Sequence, residues 1–158
     1  MTTPGATANS AGVVVRPPYL YGAGLIAVLL LRWFWPMPIV GHGGPLWAAL
    51  AVSIVGVAIV LPGRHALLAG GTNVDPALPT TAIVTTGPYR FSRNPLYVGL
   101  TLLYLGLASA FNTWWGAILL VPILAVMHRG VVRREERYLE QKFGEPYRQY
   151  CSRVRRYL

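Results

Sequence analysis

Gly87-Pro88-Tyr89-Arg90-Phe91-Ser92-Arg93-Asn94-Pro95-Leu96-Tyr97-Val98-Gly99 combines turn formers, two arginines, three aromatics and a helix-start signal, and an apolar run continues from it to Phe111. Asn94 suits a helix N-cap and Pro95 the first helical position. The segment therefore reads as a polar loop opening into an apolar helix over Leu96–Phe111. Polar backbone at the edge of a bilayer must find partners, so such a loop lines protein or a ligand.

The rest of the chain fits a bilayer setting. Of its 158 residues, 54% are hydrophobic and 12% charged, and the mean hydropathy is +0.45, too apolar for an ordinary soluble domain. Runs near the roughly 20 residues that cross a bilayer fix the class as all-α and multi-pass, with about four transmembrane helices. The first covers residues 19–35, entered through Pro17-Pro18. Gly41-His42-Gly43-Gly44-Pro45 reads as a short turn. The second runs from Leu46 to Leu61 and continues past Pro62-Gly63 toward Gly70-Gly71. The third covers Leu96–Phe111 and the fourth Trp114–Met127, with Pro122 inside it. These last two are short, so a hairpin that enters without crossing is the alternative. Beyond Met127 the helix extends through Phe143 to a stop at Gly144, and a short basic helix, Tyr147–Tyr157, follows on the membrane surface. Residues 1–18 read as a flexible lead and 19–158 as one domain.

The net charge of +9 could suggest nucleic acid, but nine of the 14 basic residues lie after Met127, from Arg129 to Arg156. Basic residues beyond a transmembrane end face the cytoplasm and anionic lipid. With four spans, Arg16, Arg64, Arg90, Arg93 and the C-terminal cluster share one side, which places both termini in the cytoplasm of a bacterial-type inner or plasma membrane. The bilayer, and no nucleic acid, is the partner this implies. The lone cysteine, Cys151, excludes an internal disulfide. His42, His65 and His128 lack metal-ligand spacing, so no metal is expected. Oligomeric state stays open.

Two features carry chemistry. The new helix N-terminus at Asn94-Pro95 can face an anionic group, while Tyr89 and Tyr97 offer aromatic faces to a base or a cation. The second feature is Glu135-Glu136. Glu136 can pair with Arg133, and Glu140 with Arg137, as on any solvated helix. Glu135 falls instead between Val131 and Leu139 at four-residue spacing, and a carboxylate on an apolar face beside a membrane needs a cationic partner.

Thr85-Thr86-Gly87-Pro88-Tyr89-Arg90 through Gly99, followed by Glu135-Glu136, Leu139, Phe143-Gly144, Tyr147 and Tyr150, resembles the isoprenylcysteine carboxyl methyltransferases and their phospholipid N-methyltransferase relatives. The resemblance covers about residues 60–155. It implies a multi-pass helical enzyme that uses S-adenosylmethionine at the cytoplasmic face. It also implies that Thr81, Ala82, Ile83, Val84 and Tyr89 line the cofactor, that Asn94, Pro95, Leu96 and Tyr97 continue that lining, and that Glu135 holds the cofactor's ammonium. Asn94 stands where the eukaryotic prenylcysteine enzymes carry histidine. Val131 stands where they carry a substrate-orienting arginine, with Arg129 and Arg133 as the nearby substitutes.

The implied reaction is methyl transfer to a lipophilic or small acceptor: a prenylcysteine-like carboxylate, an amine or a thiol. No side chain is an obvious general base, so no catalytic residue is assigned, and this mildly favours a carboxylate. Two alternatives belong to other classes. One is an NADPH-dependent reductase, since membrane sterol reductases carry a similar C-terminal region. The other is a non-enzymatic membrane module whose basic tail binds lipid or a partner.

Overall fold

The computed structural model describes residues 10–41 and 46–158. Most of the turn expected at 41–45, and the first nine residues of the expected lead, lie outside that range. Among the described residues six α-helices form the fold: α1 (Pro17–Phe34), α2 (Leu46–Ala69), α3 (Pro95–Ala110), α4 (Trp115–Val126), α5 (Arg133–Phe143) and α6 (Glu145–Arg153). A 3₁₀ turn covers Gly87–Arg90, and a π-helical turn over Met127–Val132 joins α4 to α5. No β-strand occurs among the described residues; one isolated bridge pairs Ser92 with Arg155.

Three helices are long and apolar enough to cross a membrane: α1, α2 and the 29-residue run Trp115–Phe143. The fourth apolar helix, α3, has 16 residues, roughly 24 Å at 1.5 Å each against a hydrocarbon core of about 30 Å. Ile26, Leu30, Ile54, Leu61 and Val121 point outward and exposed, which in water would leave apolar surface unpartnered and in lipid does not. The protein is an all-α integral membrane protein. Its last span is not short, because α4 runs through the π turn into α5 without a break.

Local chemistry explains the boundaries. Pro17 and Pro18 occupy the first turn of α1, where the missing N–H groups would have no partner anyway. Helix α2 passes straight through Pro62 and ends in a Schellman motif. Gly71 takes φ +70°, its N–H bonds Leu68 O, and Thr72 N–H bonds Leu67 O. Asn94 does precede α3, with Pro95 next, but its side chain caps nothing. Its Nδ2 instead donates to Arg156 O at 3.0 Å. Asn112 adopts φ 49° between α3 and α4, a conformation asparagine tolerates. Its Oδ1 accepts the Ile39 and Val40 N–H groups. Gly144, at φ 59°, separates α5 from α6. The expected surface helix over Tyr147–Tyr157 is corrected here: it spans Glu145–Arg153, and buries Tyr147 and Tyr150 against the body of the protein.

The helices alternate in direction. Trp35, Met37 and residues 39–40 meet Asn112–Trp115 at one end. At the other, Val14 N–H bonds Gly130 O and Arg16 pairs with Asp75 at 3.0 Å. The core joins Tyr21 and Val28 of α1 to Tyr104 and Ala108 of α3, Ile123 of α4, and Met127 and Val131 of the π turn. Its phenols find partners, as buried hydroxyls must: Tyr104 donates to Gly116 O, and Tyr21 shares a 2.6 Å bond with Thr101.

Helices α2 and α3 pack closest. A Cβ placed on Gly56 would lie 2.8 Å from Gly99 O and 2.7 Å from Leu103 N. Only a residue without a side chain permits that approach, and backbone cannot swing aside as a side-chain tip can. Gly56→Val is expected to cost about 2–3 kcal/mol, the upper range for overpacking. A falling thermal midpoint in detergent is the measure, with Gly22→Val, at a position with open space, as the comparison.

Candidate functional site

The segment after α2 folds upon itself before α3 begins. Thr72 Oγ1 accepts the Thr81 N–H at 2.9 Å, and Thr81 Oγ1 donates to Gly71 O at 2.6 Å. Asn73 Nδ2 donates to Pro79 O, and Asp75 Oδ1 accepts the Ala77 N–H. These bonds satisfy a non-helical backbone locally, as they must beside an apolar bundle, and leave Ala82, Ile83 and Val84 along a cavity wall.

The opposite walls come from the 3₁₀ turn, the start of α3, and helices α5 and α6. Tyr150 Oη donates to Tyr89 O at 2.8 Å, fixing the turn from below. Burial, and then the Glu135 charge, push the Tyr89 phenol above its ordinary range, so it stays neutral. Tyr97, on the first turn of α3, donates from Oη to Glu135 Oε2 at 2.7 Å. The enclosed space is about 70 Å³.

Glu135 and Glu136 are adjacent, so on a helix they point about 100° apart. Their environments differ accordingly. Glu136 takes Arg93 at 3.1 Å and Arg156 at 2.8 Å; that hydrogen-bonded pairing holds the Arg156 guanidinium above its usual value. The expected helical pairs are not the ones made. Arg133 is not the Glu136 partner, and Glu140 lies 4.0 Å from Arg148 rather than beside Arg137. Glu135 has no ion pair among the described residues; a neutral phenol is its hydrogen-bond partner. Arg93 Nε, in the same wall, is buried without an acceptor among the described residues. The cavity thus offers an uncompensated carboxylate beside two tyrosines, which suits a cation.

Of the residues proposed from the sequence, Ala82, Ile83, Val84, Tyr89, Asn94, Leu96, Tyr97 and Glu135 line this cavity. Thr81 instead secures the loop, and Pro95 is buried at the start of α3. Arg129 and Arg133 are exposed and line neither this cavity nor the one described next. Val131 is fully buried in the core. Sequence reasoning did not assign Asn73, Arg93, Glu136, Tyr147 and Tyr150, which also line it. Tyr147 and Tyr150 carried a signal: three residues apart after Gly144, they share one face of a short helix.

A second, almost wholly apolar cavity of about 480 Å³ is lined by residues of α1, α3, α4 and the π turn, together with Tyr157 and Leu158. Tyr97 is the one residue common to both linings.

Residues 45–146 match the phospholipid methyltransferase family. The chain belongs to that family. The match takes in the polar segment, helices α2 and α3 and the Glu135-Glu136 pair, and so every lining residue of the cavity except Tyr147 and Tyr150. Two curated relatives are resistance proteins. The nickel-cobalt-cadmium resistance protein NccN of Alcaligenes xylosoxydans xylosoxydans is 34% identical over 100 residues, covering 62% of this chain and 44% of the relative. The cobalt-zinc-cadmium resistance protein CzcN of Cupriavidus metallidurans is 32% identical over 107 residues, covering 66% and 46%. This phospholipid methyltransferase family member therefore spans about half the length of those two proteins. An uncharacterised protein of Haemophilus influenzae is 37% identical over 67 residues, 40% of this chain and the whole of that protein.

Proposed function

We propose that the protein is an S-adenosylmethionine-dependent methyltransferase that acts at the cytoplasmic face on a lipophilic acceptor reaching it from the bilayer. The observation that carries this reading is the contrast within the acid pair: Glu136 has two arginines, whereas Glu135 faces a cavity with a phenol as its hydrogen-bond partner. The donor brings an ammonium and a sulfonium, and these fit that charge deficit. Glu135 would hold the ammonium and the Tyr89 and Tyr97 rings would lie against cationic or aromatic parts. Ala82, Ile83, Val84 and Leu96 supply the apolar wall a nucleoside prefers.

When bound, the donor supplies an electrophilic methyl group. The residues of this chain do the rest: they fix its orientation, keep water out between packed helices, and bring the acceptor into line. Ligand clefts are typically roughly 300–1,000 Å³, several times the 70 Å³ enclosed here. Donor binding therefore requires the walls to open beyond this enclosed space.

Titration calorimetry of the detergent-purified protein tests the reading. S-adenosylhomocysteine should bind and NADPH should not. Binding of NADPH alone would support the reductase alternative, and binding of neither the non-enzymatic one. Transfer of a labelled methyl group into a lipid extract, followed by product identification, names the acceptor.

A further inference from the structure

Among the described residues, Arg93 is the one basic residue that lines the Glu135 cavity, and its guanidinium is held in place without being saturated. Nη1 lies 3.1 Å from Glu136 Oε1 and donates to Cys151 Sγ at 2.7 Å. The backbone N–H of Arg93 bonds Arg155 O at 2.9 Å, so main chain and Nη1 together fix the side chain. Nε is buried and has no acceptor among the described residues. A buried donor left so is costly and uncommon in folded proteins. Charge points the same way. Arg156 already meets both oxygens of Glu136, with Nε 2.9 Å from Oε1 and Nη2 2.8 Å from Oε2. Two guanidiniums thus share one carboxylate, and this corner of the cavity wall carries an excess of positive charge. The other acid in the wall, Glu135, has the Tyr97 phenol as its hydrogen-bond partner. A cationic corner and a separate carboxyl group in one wall fit a ligand end that is itself zwitterionic. The other amide donors in the lining are engaged, Asn73 Nδ2 on Pro79 O and Asn94 Nδ2 on Arg156 O.

We propose that Arg93 binds the carboxylate of the donor's amino-acid end through Nε, and that this contact makes the cavity select ligands that carry the whole amino acid. This rests on the methyltransferase reading and gives a partner to the donor's one anionic group, which Glu135 cannot hold. An α-amino acid carries its ammonium and its carboxylate on one carbon, so groups of opposite sign must meet them in one wall. Glu135 and Arg93 line the same cavity. A carboxylate at Nε supplies the missing acceptor and offsets the surplus charge that Glu136 leaves when it is shared with Arg156. Lysine is no equivalent, because its ammonium is a point charge without the guanidinium's fixed fork of donors. Glu136 and Cys151 are positioning residues here: they hold Nη1 and leave Nε to the ligand.

Titration calorimetry of the full chain in nanodiscs tests this with two ligands, S-adenosylhomocysteine and its decarboxylated analogue, the aminopropyl thioether of adenosine. The analogue keeps the nucleoside, the thioether and the ammonium. Wild type should bind it roughly 10- to 100-fold more weakly, the scale of one charge-assisted hydrogen bond. Arg93→Lys keeps a positive charge facing Glu136 and removes Nε–H. It should weaken S-adenosylhomocysteine by a similar factor and leave the analogue within about twofold, as for groups that do not interact. Glu135→Gln, acting on the ammonium, should weaken both ligands alike. Thermal unfolding checks that Arg93→Lys is folded; Arg93→Gln takes its place if it is not, and the wild-type comparison needs neither. Equal affinity of wild type for the two ligands would overturn the proposal. Discrimination that survives Arg93→Lys would overturn it too, and would put the carboxylate on the N-terminus of α3. Equal losses on both ligands in Arg93→Lys would do the same, making Arg93 a structural member of the Glu136 network. If wild type binds neither ligand, the methyltransferase reading falls and the assignment with it. If it binds both without telling them apart, only the carboxylate assignment falls.

Discussion

Glu135→Gln is expected to weaken S-adenosylhomocysteine binding by roughly 30- to 150-fold, or about 2–3 kcal/mol, the scale of losing one partner from a desolvated charge pair. The substitution keeps the size of the side chain and a carbonyl oxygen able to accept from Tyr97, so the fold has little reason to change. What it removes is the carboxylate of Glu135, which makes no ion pair among the described residues and has the Tyr97 phenol as its hydrogen-bond partner. Glu140→Gln is the matched comparison. Glu140 is on the same helix, but its carboxylate is half-exposed and 4.0 Å from Arg148, and exposed pairs contribute about 0–1 kcal/mol. Calorimetry on both variants, alongside thermal unfolding to show equal stability, decides the matter. Equal and small effects would make Glu135 an ordinary helix charge.

Glu136→Ala is expected to act on stability instead. Arg93 and Glu136 side chains are each only 15% exposed, whereas Arg156 is 40% exposed. Removing the shared carboxylate strands the Arg93 charge in a largely desolvated position. Breaking a fully buried pair costs about 3–5 kcal/mol, and the exposed Arg156 side brings the expectation down to about 2–3. For a chain of this size that is a fall in unfolding midpoint of roughly 5–10 °C. The same substitution frees Arg156, so residues 154–158 lose their ionic hold. Faster tryptic cleavage at Arg153, Arg155 and Arg156 should accompany the lower midpoint. A midpoint no lower than that of Glu140→Ala would show that the network stabilises nothing.

Features with local causes were legible in the sequence. Apolar run lengths located the helices, Gly70-Gly71 announced the end of α2, and Gly144 separated the last two helices, because each depends on neighbouring residues. Interactions across long sequence separation were not. Asn94 has the sequence of a side-chain cap, but the carbonyl of Arg156 competes for its amide, and nothing near residue 94 reveals a strap arriving from 62 residues away. Glu135 and Glu136 were visible as a pair, and spacing singled out Glu135. That two arginines would converge on Glu136 depends on the strap and on Arg93, not on helical periodicity. The π turn was illegible for a related reason: it is a change of helical register, and the composition of Met127–Val132 does not signal it.

Tyr97 has its hydroxyl on Glu135 and contributes to the lining of the apolar cavity as well. A ligand that settles against the carboxylate fixes that phenol, and a ligand that packs against the ring does the same from the other side. Free energy is a state function, so whatever the first ligand does to the affinity of the second, the second does to the first in equal measure. Any coupling between occupants of the two cavities would run through that one side chain.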